Sequence, residues 1–300
     1  MDVRWGTVAT CLILLCSSVA CNKKAAAPAG DRGVLEPQPE CANNAIAQRY
    51  IVRWNDGSTS IEHSPDKETL IKEVIEPNQN DIEFAEPDML VSVPKASGPI
   101  VSMPKTESAP YALPTSEEAN DWGQRAVSAD QAWQSGADGH GVIVAVVDSG
   151  VDINHPQLKD QIAINPLEKF NGIDDDNNGF IDDVNGFDFE QNSGIISDGK
   201  GHGTHVSGII AAAHNGIVLG VAPKAKILPI DFMNDMGNGS ISNAILGIEY
   251  AVSRGAKVIN ASWGGTPCSK ALSDTIQGLA NSGVIFVVAA GNSGQNIDYT

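Results

Sequence analysis

Positive charge is scarce in this chain. Nineteen Lys and Arg face 37 Asp and Glu, a net charge of −18 over 300 residues. No basic cluster interrupts the acidity, so nucleic acid and anionic lipid are excluded as partners, because their phosphates would repel such a surface. The acidity reads as serving solubility and cation binding. Cysteine is also scarce, at five. Cys11 and Cys16 lie in an apolar leader, which leaves Cys21, Cys41 and Cys268. With Cys41 outside the main domain, no disulfide is assigned. The apolar stretch from Val8 to Val19 is too short to span a bilayer, so a permanent transmembrane helix is not expected. Set against these shortages is a hydrophobic content of 42%, ample for one large α/β domain and a small companion.

Residues 1–21 read as an export signal, with Arg4 near the start and small residues before Cys21. Ser18-Val19-Ala20-Cys21 resembles a bacterial lipobox, although Ser18 stands where that motif usually has leucine. The resemblance makes Cys21 a lipidated N-terminus attached to the cell envelope, with free secretion as the alternative. Residues 22–45, rich in Ala, Pro, Asn and Gly, read as a flexible tether. A small α+β unit follows at 46–94. Tyr50 to Trp54 predicts a strand and Asn55-Asp56-Gly57 a turn. Ser64-Pro65-Asp66 predicts a helix start with Ser64 as cap, and Leu70, Ile71, Val74 and Ile75 its apolar face. Asp81 to Phe84 and Met89 to Val93 predict two further short strands. Residues 95–120, with four prolines, read as a linker.

The main domain occupies 121–300. Val142 to Val147 is a continuous apolar run that predicts a buried parallel strand and delivers Asp148 at its C-terminal end. Gly201 to Gly208 opens a helix with His202 in its first turn. Ala225 to Met233, Lys257 to Ala261 and Val284 to Val288 predict more strands, and Ser240 to Arg254 and Leu272 to Asn281 predict helices between them. Strand and helix alternating at this length predict a doubly wound, mostly parallel α/β sheet with its site at the strands' C-terminal ends. An acid, a histidine and the amide of Asn292 at that edge point to acyl transfer. A zinc protease is ruled out. Its motif needs His-Glu-x-x-His, whereas His202 and His205 are three apart with Gly203 in place of the glutamate.

Asp148-Ser149-Gly150, His202 to Gly208 and Ala290-Gly291-Asn292-Ser293-Gly294 resemble, in that order, three of the four active-site motifs of the subtilisin-like serine proteases. The resemblance implies Asp148 and His202 as catalytic acid and base and Asn292 as oxyanion donor, with His155 and His205 structural. It implies that substrate lies along Gly237, Asn238, Gly239, Ser262, Trp263 and Gly264. A first specificity pocket would be walled by the latter segment and Ala289 to Gly291, and would be roomy enough for large uncharged residues. Tyr50-Ile51-Val52 and Glu83 to Asp88 resemble the family's inhibitory propeptide, a small ferredoxin-like unit that aids folding and plugs the site until removed. The family's fourth motif, Gly-Thr-Ser-Met-Ala with the nucleophile, is absent, as is Gly-x-Ser-x-Gly. It belongs roughly 65 residues beyond the amide donor. The expectation is therefore an N-terminal portion of a peptidase, inactive by itself and with an exposed sheet edge. The alternative is a non-catalytic calcium- or peptide-binding lipoprotein fragment.

Gly172 to Asp183 is an acidic insertion in which Asp174, Asp176 and Asn178 alternate before Gly179. Alternate oxygens followed by a turn glycine form the first half of a calcium loop. Asn185 stands where an EF-hand has its closing glutamate, so Asp182 or Asp183 closes the set. The expected calcium ligands are Asp174, Asp176, Asn178, Phe180, Asp182 and Asp183. Carboxylates this dense repel one another without a cation.

Overall fold

The structure, a computed structural model, describes residues 34–36, 42–94, 122–265 and 269–292. The export signal, Cys21, Cys41, Cys268 and the linker at 95–120 lie outside these residues. Among the described residues no helix is long and apolar enough to cross a membrane.

The N-terminal unit comprises β1 (Ala45–Trp54), β2 (Thr59–His63), helix α1 (Lys67–Leu70), a wider helical turn through Ile75, and β3 (Ile82–Ser92). β1 pairs antiparallel with both β2 and β3. Side chains alternate across it as a strand requires: Val52 joins Leu70, Ile75 and Ile82 in a small core, while Ile51 turns to the main one. Three sequence readings need correction. The helix cap is Asp66, whose Oδ1 accepts from Thr69 N at 2.7 Å, while Ser64 Oγ donates to the Asp66 carbonyl. A carboxylate is the stronger acceptor for an unpaired N–H at a helix start. The two short strands are one, β3. Pro87 is tolerated inside it because β1 shifts register between Ala45 and Tyr50, opposite that proline. Part of the expected tether is bound, since Leu35 N donates to Ala85 O at 2.6 Å. A ferredoxin-like unit has two helices and four strands. The described residues here hold one helix and three strands, and the fourth strand of the sheet, β7 (Asn238–Ser240), comes from the main body.

The main body opens with α2 (Trp122–Ala126) and α3 (Ala129–Gln134), followed by β4 (Ile143–Asp148), β5 (Phe187–Asp188) and α4 (His202–Ala211). It continues with β6 (Lys226–Asp231), β7, α5 (Ile241–Ser253), β8 (Val258–Ala261), α6 (Lys270–Asn281) and β9 (Ile285–Val288). The five strands run parallel in the order β5-β6-β4-β8-β9. β4 is apolar throughout because both of its faces are covered. Ala145 and Val147 share a core with α5 and α6, and Val144 and Val146 share another with α4. β4 connects past β6 to β5 on one side, whereas β8 connects to β9 on the other, so the connections part between β4 and β8, and Asp148 ends β4 at that switch point. Among the described residues β5 and β9 are the edges of this sheet, and Ile285, Val287 and Val288 of β9 are exposed.

The two units share a core: Ile51, Phe84, Met89 and Val91 pack with residues of α5 and α6. Two acids two residues apart on β3 cap those helices. Asp88 Oδ1 and Oδ2 accept from Ser242 N (3.0 Å) and Ser242 Oγ (2.6 Å). Glu86 accepts from Lys270 N (2.9 Å), Ala271 N (3.2 Å) and Ser269 Oγ (2.6 Å). Each carboxylate meets the positive end of a helix, the favourable arrangement. Burial nevertheless pushes both carboxyls above their ordinary range, against the pull of those hydrogen bonds.

Candidate active site

Asp148, at the end of β4, is fully buried, and His202, on the first turn of α4, is half-buried. Nδ1 of His202 stands 2.7 Å from Asp148 Oδ1. The same oxygen accepts from Ser149 N at 2.8 Å, whereas Oδ2 is buried without a partner. The hydrogen bond from the ring to Asp148 raises the proton affinity of His202 above that of an ordinary histidine, outweighing its burial.

Close backbone approach makes this contact. A Cβ on Gly203 would lie 2.1 Å from the Gly150 carbonyl oxygen, and one on Gly150, whose φ is +85°, 1.7 Å from that of Ser197. Only glycine at both positions lets α4 press against the loop after β4. Asp198, missed by the sequence reading, accepts four hydrogen bonds in this loop. Its one sequence signal was its place three residues before a helix that starts at a glycine.

Gly237, Asn238 and Gly239 flank the end of β3 as one wall, and the segment Ser262, Trp263 and Gly264 flanks it on the other side. The Trp263 indole donates to Val147 O at 2.8 Å and packs on Phe232, which fixes that wall beside Asp148. The end of β3 lies between the walls. Leu90, Val91 and Ser92 pair antiparallel with Ser240, Gly239 and Asn238. Ser92 and Gly264 exchange hydrogen bonds at 2.9 and 3.0 Å, and Val93 N donates to Gly237 O at 2.9 Å. This is where the sequence reading places substrate. Ala289 N donates to Ala261 O at 3.3 Å, and Gly291 and Asn292 follow β9, exposed, at the C-terminal end of the parallel strands, the end at which Asp148 closes β4. The structure thus brings Asp148 and His202 together and sets 237–239 and 264 on either side of one strand. It gives Asn292 no contact with that pair.

The acidic insertion gathers a set different from the expected one. Oxygens of Glu168, Asp176 and Asp183 lie within 4.8 Å of one another. Glu168, which no loop motif marks, is buried, as is Asp183. Asp174 instead accepts from Asn178 N (3.0 Å) and Gly179 N (2.8 Å), and Asp182 from Asn171 N (2.8 Å) and Gly172 N. Both brace turns of the insertion. Arg254 pairs with Asp183 at 2.7 Å, a single cation against three carboxylates. Three hard oxygen donors with surplus negative charge fit a dication such as calcium.

A profile described as the subtilase family matches residues 139–300. The chain belongs to the subtilase family. It is 41% identical over 154 residues to subtilisin-like protease 1 of Plasmodium berghei (strain Anka), a match covering 50% of this chain and 26% of that protein. It is 36% identical over 178 residues to thermitase of Thermoactinomyces vulgaris, covering 59% and 56%. The chain therefore spans a quarter to about half the length of these curated relatives. The crystal structure of fervidolysin from Fervidobacterium pennivorans, a keratinolytic enzyme related to subtilisin, is similar in fold. Its TM-score is 0.63 at 24% identity, over 87% of this chain and 42% of that one.

Proposed function

We propose that this subtilase chain carries the acid and the base of an exported serine endopeptidase. The observation that carries the reading is the 2.7 Å contact between His202 Nδ1 and the buried Asp148, at the C-terminal end of β4 where the connections of β4 and β8 part. Asp148 holds the proton on Nδ1 and thereby presents Nε2 as the base. His202 takes the proton of a serine hydroxyl as that oxygen attacks a peptide carbonyl, and returns it to the leaving amine. The serine belongs to the family's fourth motif, which these residues do not contain. The amide of Asn292 meets the oxyanion. Substrate lies extended along 237–239 and 262–264, as β3 now does, with a large uncharged residue in the pocket walled by 262–264 and 289–291.

Residues 46–94 act as an inhibitory propeptide, removed by cleavage within 95–120. The support is the seating of β3 in the groove and the capping of α5 and α6 by Asp88 and Glu86. Calcium is held by Glu168, Asp176 and Asp183 with Asn178 beside them, where it stabilises the insertion. The signal at 1–21 exports the protein, and cleavage before Cys21 leaves that residue either lipidated on the envelope or as the unmodified N-terminus of a secreted protein. The test is labelling of the natively produced protein with a serine-directed phosphonate, with intact mass measured alongside. A labelled species that loses its label in Asp148→Asn supports the endopeptidase. A folded species that takes no label overturns it and leaves a non-catalytic binding role.

A further inference from the structure

We propose that Asp198 is a positioning residue for the Asp148–His202 pair, a role that rests on the hydrolytic reading above. Gly201 precedes α4 with a left-handed backbone (φ 78°) and has no side chain with which to cap the helix. Asp198 supplies the cap from three residues upstream. Its Oδ1 accepts from Gly201 N at 2.6 Å and Ser149 Oγ at 2.9 Å. Its Oδ2 accepts from Thr204 N at 2.8 Å and Thr204 Oγ1 at 2.6 Å. These four donors fill the acceptor sites of one carboxylate.

The donors come from both halves of the pair. Ser149 directly follows Asp148, and Gly201 and Thr204 bracket His202. Two more bonds close the bracket: Gly203 N donates to Ser149 Oγ at 3.2 Å, and Asp152 N to Thr204 Oγ1 at 2.8 Å. Asp198 thus ties the loop after β4 to the first turn of α4, and the separation of Asp148 from His202 is set by that tie. An asparagine has one acceptor oxygen and would release the donors on the other. The charge matters as well. The bond from Asp148 contributes most to the raised proton affinity of His202; the Asp198 carboxylate adds to it, and burial and Lys200 oppose it. Asp148 and Asp231 are the other acids whose fields this corner of the site combines.

The test is the titration of His202 by NMR in the full chain labelled with ¹⁵N-histidine, for the native protein, Asp198→Asn and Asp198→Ala. The expected result is a lower titration midpoint and a weakened low-field resonance of the Nδ1 proton in both variants, with the fold's other resonances unchanged. In the protein that takes the phosphonate, kcat on a peptide should fall about 10- to 100-fold at unchanged KM, the scale of a misplaced catalytic group. If Asp198→Ala does not fold, Asp198→Asn decides. An unchanged midpoint and Nδ1 resonance in Asp198→Asn would overturn the proposal. The titration needs no nucleophile, so a failed phosphonate label would overturn the hydrolytic reading and leave this measurement standing.

Discussion

Asp148 and His202 are 54 positions apart in the chain and 2.7 Å apart in space. Their pairing was legible through the resemblance of Asp148-Ser149-Gly150 and His202 to Gly208 to the motifs of the subtilisin-like proteases. Asp148→Asn should lower peptide hydrolysis by about 10⁴-fold, the loss seen for the same acid in subtilisin, a relative of this chain. The pH profile gives a second readout. His202 must be neutral to take a proton, and Asp148 raises its pKa, so the acid limb of kcat should move to lower pH in Asp148→Asn. A limb that stays in place would mean that Asp148 does not act on this imidazole. Asp231 was not legible, because its surroundings exist only in the sheet. It lies beside Asp148 and Asp188 on the neighbouring parallel strands. Burial, then Asp188, pushes its carboxyl up to about 8. In the unfolded chain it ionises near ~3.9. Between these values the folded protein holds a proton that the unfolded chain has lost, so stability falls as pH rises through the window. Asp231→Asn should raise Tm at pH 8 and leave it unchanged at pH 4. Parallel Tm profiles for the two proteins would contradict this.

Among the elements, β4, α4 and α5 follow from periodicity and from runs too apolar for a one-sided strand. β3 was misread because Pro87 looks like a break, and only the register shift in β1 shows why it is not one. The opening of α4 is held closely against the loop after β4. Gly203→Ala would put a methyl carbon 2.1 Å from the Gly150 carbonyl oxygen. The helix would have to back away, at a cost of about 1–3 kcal/mol typical of overpacking. A retreat of about 1 Å is enough to lose about 100-fold in rate. Thermal unfolding and the His202 Nδ1 resonance would register both effects. An unaltered resonance would show that the loop after β4 yields instead.

At the scale of the whole molecule, a small antiparallel unit and a parallel sheet share one core, and the last residues of β3 pair with β7 on one side and with Gly264 on the other. The acidic insertion is the other large-scale feature. With calcium about 100-fold above its dissociation constant, linkage contributes about 2.7 kcal/mol. Chelation should then lower Tm by about 5–10 °C in a domain of this size. Asp176→Asn should remove most of that response, and a Tm indifferent to chelator would rule out the calcium site. The acidity, the strand-helix alternation, the identities of Asp148 and His202 and the presence of an oxygen-rich loop are local properties, and the sequence by itself determined them. Tertiary structure decided that Glu168 converges with Asp176 and Asp183, and that Asp198 lies beside the Asp148–His202 pair. It also decided that β3 occupies the groove. Convergence is set by how distant segments pack, and hydrophobic periodicity carries no record of which loops will meet.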